Sequence, residues 1–149
     1  MSLRLATKED YPHIIRMARR FHEASPYSDL EFSEEQSRAV FEKYLGSNKT
    51  EIVIILAADG EPYGMIIGAA SSLPFSQDKV ASELAWWVDE DKRGSKDSLM
   101  LFKAYQDWAR RVGSKITQMA MLDDVTNLNK FYLKQGFVPA ERSYIKRTI

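Results

Sequence analysis

Apolar positions along this chain keep two spacings, and the switches between them mark out its elements. Leu3 and Leu5 flank Arg4, an alternation that predicts a short first strand. Thr7 then caps a helix with Glu9 and Asp10 in its first turn, and Ile14, Met17, Ala18 and Phe21 form its apolar stripe. Ser25-Pro26-Tyr27-Ser28-Asp29 breaks that helix. Ser33 with Gln36 is a capping box for a second helix, with Val40, Phe41, Tyr44 and Leu45 on one face and Gly46 at its end. The run from Ile52 to Ala58 is continuously apolar and β-branched, so it predicts a buried strand. Asp59-Gly60-Glu61-Pro62 is a turn, and Tyr63 to Ser71 returns as the hairpin partner. Ala81 to Val88 is a third long strand.

Ser95 to Val112 reads as a helix with Leu101, Phe102, Tyr105, Trp108, Ala109 and Val112 on one face, and Gly113 stops it. Ile116 to Leu122 is a strand, Thr126 caps a short helix that ends at Gly136, and Tyr144 to Ile149 is expected as a last strand. The order β-α-α-β-β-β-α-β-α-β describes a mixed-sheet α/β domain spanning residues 1–149, a central sheet flanked by helices. The strand–helix–strand unit over residues 81–122 is expected to be a right-handed parallel crossover. Ligands of such sheets gather outside the carboxyl ends of the strands, which directs attention to Val88 through Ser98.

Composition narrows the function. The 21 basic and 21 acidic side chains cancel, so no global field recruits nucleic acid or an anionic membrane. Cysteine is absent, which removes disulfides, thiolate metal sites and a Cys nucleophile, and fits a reducing interior. With only His13 and His22, a His-rich metal site is not expected. The N-terminus lacks a long apolar run and no segment approaches the ~20 apolar residues of a membrane span. A cytoplasmic protein is the expectation; homodimerisation is left open.

The chemistry concentrates in two stretches. Trp87-Val88-Asp89-Glu90-Asp91-Lys92-Arg93-Gly94-Ser95-Lys96-Asp97-Ser98 runs from an apolar strand through a charged turn into a helix. Such a turn aims the free N–H groups of the helix start, and its positive dipole end, at one point suited to a phosphate. The second stretch is Phe131-Tyr132-Leu133-Lys134-Gln135-Gly136-Phe137.

Element order and both stretches resemble the GNAT superfamily of acetyl-CoA-dependent N-acetyltransferases over essentially the whole chain. In that family an Arg/Gln-x-x-Gly-x-Gly/Ala loop holds the cofactor pyrophosphate; here Arg93-Gly94-Ser95-Lys96-Asp97-Ser98 takes the six positions. Arg93 matches, while Lys96 and Ser98 replace the two small residues. A strained backbone at Lys96 would cost ~1 kcal/mol or more, since its Cβ disfavours positive φ. In compensation Lys96 brings a cation and Ser98 a hydroxyl, both usable on phosphate. The second stretch fits every fixed position of the family's Phe-Tyr-x-x-x-Gly-Phe signature. The resemblance makes Tyr132 the general acid that returns a proton to the CoA thiolate, and Glu83 the carboxylate that accepts the amine proton. It pairs the backbones of Trp87 and Val88 with the pantetheine arm, and assigns Asn127 weakly to the cofactor, because the family's usual asparagine spacing falls at Val125.

Alternation predicts Glu83, Ala85 and Trp87 on one face of their strand and Leu84, Trp86 and Val88 on the other. Apolar company would raise the pKa of Glu83 toward that of a working base. The acceptor amine is expected at the turn between the first two helices, with His22, Glu23, Tyr27 and Asp29, and at Leu73 to Lys79. The bulk of Trp86 and Trp87 argues against acyl groups larger than acetyl. The implied reaction is acetyl transfer from acetyl-CoA to a primary amine of a small molecule or protein, by direct attack in a ternary complex. The alternative, which Lys96 and Ser98 favour, is a non-catalytic module that binds CoA or a protein.

Overall fold

A strand buried on both faces must lie inside a sheet, with helices above and below. In the computed structural model, which describes residues 2–122 and 128–148, β2 (Ile52–Asp59) takes such a place. The sheet has five strands in the order β1 (Ser2–Leu5), β2, β3 (Glu61–Ser72), β4 (Lys79–Val88) and β5 (Ile116–Gln118). All neighbours are antiparallel except β4 and β5, which run parallel as expected of the crossover. Along β2, Ile54 and Leu56 join Ile14, Met17 and Phe41 beneath α1 (Tyr11–Glu23) and α2 (Glu34–Gly46). Val53, Ile55 and Ala57 turn to the other face, against Leu101, Tyr105 and Trp108 of α3 (Lys96–Arg111). On that same side Tyr132 of α4 (Leu128–Lys134) stacks on Phe102 of α3 and Phe131 meets the same ring edge to face.

Local signals explain the helix ends. Thr7 starts a short 3-10 turn, its N–H donating to Asp10 at 2.8 Å, and that turn feeds α1. Arg4 forks onto the same carboxylate with two 2.8 Å bonds; this pairing, against the cost of burial, lowers the Asp10 pKa to about 2. Ser33 accepts the Gln36 N–H at the start of α2. Gly46 lies within the last turn of α2 instead of beyond it, and Ser47 caps the helix. Gly113 and Gly136 follow α3 and α4 with positive φ, as helix stops require.

Two expectations for the second half of the chain are corrected. β5 ends at Gln118 instead of Leu122, because there the chain turns away from β4. Residues 137–148 carry no regular structure, so the strand expected from Tyr144 does not form over its described part. A three-residue β5 offers little edge for it to join. Arg147 instead forks onto Asp29 at 2.6 and 2.7 Å and reaches the Pro26 carbonyl, strapping the segment to the turn between α1 and α2. Thr126, the expected cap of α4, lies outside the described residues. No described helix is long and apolar enough to cross a membrane.

Two bulges set which side chains meet. In β3, Ala57 pairs with Gly64 and Ala58 with Pro62, so Tyr63 is the extra residue. In β4, Gly68 pairs with Glu83 and Ile67 with Ala85, so Leu84 is the extra residue. An extra residue re-aims the side chains beside it.

Candidate active site

The site opens where β5 leaves β4. Val80, Ala81 and Ser82 pair with Ile116, Thr117 and Gln118; from Glu83 to Val88 the same edge of β4 has no strand beside it among the described residues. Register fixes which backbone groups face that edge. Asp89 donates to the Tyr63 carbonyl and Val88 lies opposite Gly64. Antiparallel alternation therefore commits the N–H and C=O of Trp87 to Met65 and turns those of Trp86 and Val88 onto the open edge. Of the expected pair, Trp87 is thus turned into the sheet, and the backbone groups that face the open edge are those of Trp86 and Val88.

The bulge at Leu84 also overturns the expected face of Glu83. Ala85 and Trp87 point to α1 and α2, whereas Ala81, Trp86 and Val88 point to α3. One extra residue at Leu84 keeps Glu83, like its partner Gly68, on the α3 and α4 side. There its carboxylate accepts the Ala120 N–H at 3.3 Å, and burial pushes its pKa up to about 7 while that bond opposes the rise. The expected desolvation is present, but its source is α3 and α4 and not Ala85 and Trp87.

Tyr132 meets Glu83 through the same residue. Its hydroxyl donates to the Ala120 carbonyl at 2.8 Å, so Ala120 links both side chains named as catalytic candidates. Burial, and then the charge of Glu83, raises the Tyr132 pKa and keeps the phenol protonated, a donor. Tyr105 is raised for the same two reasons and donates to the Gln118 carbonyl at 2.9 Å, holding the last residue of β5. Sequence reasoning placed Tyr105 only on an apolar helix face; no local signal distinguishes its hydroxyl.

At the far end of β4 the loop to α3 contains a 3-10 turn, Glu90–Lys92. The positive φ of 70° falls on Gly94, while Lys96 is the first residue of α3 with helical backbone. The strain expected at Lys96 is therefore absent: the glycine stands at the position that needs one. Arg93 lies 4.4 Å above the Trp87 ring, and its Nε donates to the Val88 carbonyl at 2.8 Å. Ser95 caps α3 by position while its hydroxyl bonds Lys92. The Ser98 hydroxyl is buried without a partner.

The acidic members of this loop are mostly tied outward. Asp89 accepts from Arg16 at 3.0 Å and from the Trp87 indole at 2.9 Å. Glu90 meets Arg20 at 3.5 Å. Asp97 accepts from the Tyr63 hydroxyl. Lys96 is exposed and makes no ion pair among the described residues. The outcome is a helix start at which Lys96 is exposed and three of the four loop carboxylates, Asp89, Glu90 and Asp97, are held by other partners. These tethers join residues far apart in sequence, and only Arg93 was legible beforehand.

Among the described residues no hydrogen bond or ion pair joins the expected acceptor residues to Glu83. Hydrogen bonds around His22 and Tyr27 run within their own turn, through Ser25, and the His22 Nε2 is buried without a partner. Asp29 is taken by Arg147. Leu73 to Lys79 lies at the opposite end of β4 from Arg93. Asn127 lies outside the described residues.

The Acetyltransferase (GNAT) family model matches residues 12–137, and the chain belongs to that family. Solved structures share its fold at low identity. A transcriptional regulator from Bacillus halodurans is 18% identical, with 98% of each chain covered and a TM-score of 0.80. Aminoglycoside antibiotic 6'-N-acetyltransferase AAC(6')-IG from Acinetobacter haemolyticus is 15% identical, covering 100% of this chain and 99% of that one, with a TM-score of 0.75. AAC(6')-Iy, in complex with the bisubstrate analog CoA-S-monomethyl-acetylneamine, is 16% identical over 99% of this chain and 97% of that one, with a TM-score of 0.78. A search of curated proteins finds no match.

Proposed function

We propose that the chain is an acetyl-CoA-dependent N-acetyltransferase acting on a primary amine by direct attack. The observation that carries this reading is the split after Ser82, which leaves an open strand edge between two chemically matched ends. At one end Glu83 and Tyr132 meet at Ala120; at the other a helix start presents Arg93, Gly94 and Lys96. The residues present fit the cofactor: the Ser98 hydroxyl lacks a partner, and nothing lies within 4 Å of where a Gly94 side chain would stand.

Bound acetyl-CoA supplies an activated acyl carbon. Trp86 and Val88 offer backbone groups to the pantetheine arm, as an added strand would use them. An ammonium must lose a proton before it attacks. Glu83, with a pKa near 7, takes that proton at neutral pH. The amine nitrogen bonds to the acyl carbon and the carbon–sulfur bond breaks; Tyr132 gives its proton to the departing thiolate and is restored by the second proton that the nitrogen sheds as it becomes an amide. Its hydroxyl must then leave Ala120, which the thiolate's charge favours.

The second reading is a GNAT-like module that binds CoA or a protein without catalysis. It is favoured by Arg93 holding the Val88 carbonyl and Tyr132 holding that of Ala120, two groups the reaction needs free. Titration calorimetry with acetyl-CoA, wild type beside Arg93→Ala, separates the two. Micromolar binding that weakens about tenfold in the variant, followed by CoA release with amines, supports the enzyme. Binding without release with any amine supports the module, and no binding at millimolar cofactor removes both the enzyme and the CoA-binding module.

A further inference from the structure

We infer that Tyr63 is a positioning residue of the cofactor site: it holds the Asp97 carboxylate off the first turn of α3 so that the helix amides stay free for phosphate. The inference rests on the acetyl-CoA reading above.

Asp97 is the second residue of α3. A carboxylate there is drawn to the unpaired N–H groups of the first helical turn, where the helix dipole favours negative charge. Those are the donors a pyrophosphate needs, so a free Asp97 competes with the ligand twice, by filling its donors and by repelling its charge. In this structure no hydrogen bond among the described residues joins Asp97 to those amides; its Oδ2 instead accepts the Tyr63 hydroxyl at 2.5 Å.

Tyr63 reaches that carboxylate because of the bulge. Met65 and Ile67, the next odd-numbered residues of β3, face α1 and α2. Simple alternation would send Tyr63 the same way. As the extra residue between the pairs Ala57–Gly64 and Ala58–Pro62, it turns instead to the α3 side and packs in that core beside Leu101. The ring is buried, and Lys92 of the loop lies 5.3 Å above it. Tyr63 thus serves the loop from outside, in parallel with Arg16 on Asp89 and Arg20 on Glu90.

A mechanical anchor and a charge holder predict different cycles. Calorimetric Kd values for acetyl-CoA, with melting temperatures, are measured for wild type, Tyr63→Phe, Asp97→Asn and the double variant. If Tyr63 holds charge away, Tyr63→Phe raises Kd about tenfold, by freeing one carboxylate beside the phosphates. The increase shrinks in 1 M salt. Asp97→Asn binds at least as well as wild type, and adding it to Tyr63→Phe restores the affinity. kcat at saturating acetyl-CoA stays within about twofold throughout, a KM-against-kcat split that lost folding would not produce. If Tyr63→Phe leaves Kd unchanged, or both single variants weaken binding and the double variant does not recover, the inference is overturned. Wild-type protein that fails to bind acetyl-CoA overturns the cofactor reading itself, a result separate from either.

Discussion

The two parts of β4 form one continuous strand and meet different fates. Lys79 to Ser82 is covered on its outer edge by β5, its backbone closed into the sheet. Glu83 to Val88 continues in line, with Trp86 and Val88 presenting backbone groups to an edge without a strand. Both tryptophans of β4 fall in the second part, but what opens its edge is the length of the neighbouring strand. A three-residue β5 ends beside Gln118, and Ala120 then spends its N–H on the Glu83 side chain instead of on a backbone partner. Site and sheet here are one strand with and without a neighbour.

The largest expected effect tests the open half. Glu83→Gln should lower kcat/KM about 10²-fold or more, the usual scale of general base catalysis. In wild type kcat/KM should rise through about pH 7 as Glu83 ionises, and the variant should lose that limb. A limb that persists would assign the base elsewhere. The same shift has a stability sign. The folded pKa lies above the ordinary glutamate value of 4.5, so ionising Glu83 costs the fold, and wild-type stability falls as pH rises from 4.5 through about 7. The melting temperature of Glu83→Gln should therefore match wild type at pH 4 and exceed it at pH 8.

A medium effect tests the closed part of the sheet. A methyl group on Gly68, opposite Glu83, would stand 3.0 Å from the Trp108 ring, whose indole is fixed to the Lys49 carbonyl at 2.7 Å. Gly68→Ala should cost about 1–3 kcal/mol as overpacking in thermal unfolding, with the Glu83 limb still present. If that limb moved as well, the two halves would be coupled more tightly than their packing indicates. The smallest effect concerns the C-terminal strap. Arg147→Ala should shift the melting temperature by no more than about 2 °C, since both partners of its ion pair are half exposed. A larger loss would make residues 137–148 part of the fold's support.

Much of this was legible in the chain. The continuous run at Ile52, the stripe of α3 and the glycines at 113 and 136 carry their own signals, because period, capping and positive φ are local properties. Arg93 and the Phe131–Phe137 signature fall beside opposite ends of the open stretch of β4. The face of Glu83 was misread for a definite reason: alternation assumes an uninterrupted pleat, and a bulge is a property of two strands and their register. The absent last strand failed similarly. Tyr144 and Ile145 suit a strand, but a strand needs an edge, and the extent of β5 decides whether there is one.

The sequence by itself determined most of the helices and strands, where the turn from β4 to α3 falls, and that Gly94 could take the left-handed conformation there. Those follow from side-chain pattern and backbone freedom within a few residues. Only the tertiary structure decided that β5 would leave β4 at Ser82, that Ala120 would join Glu83 to Tyr132, and that Tyr63 would turn through a bulge to Asp97. Each of these sets groups 12 to 37 residues apart within hydrogen-bonding distance. Such distances depend on register and packing, which no single stretch of chain encodes.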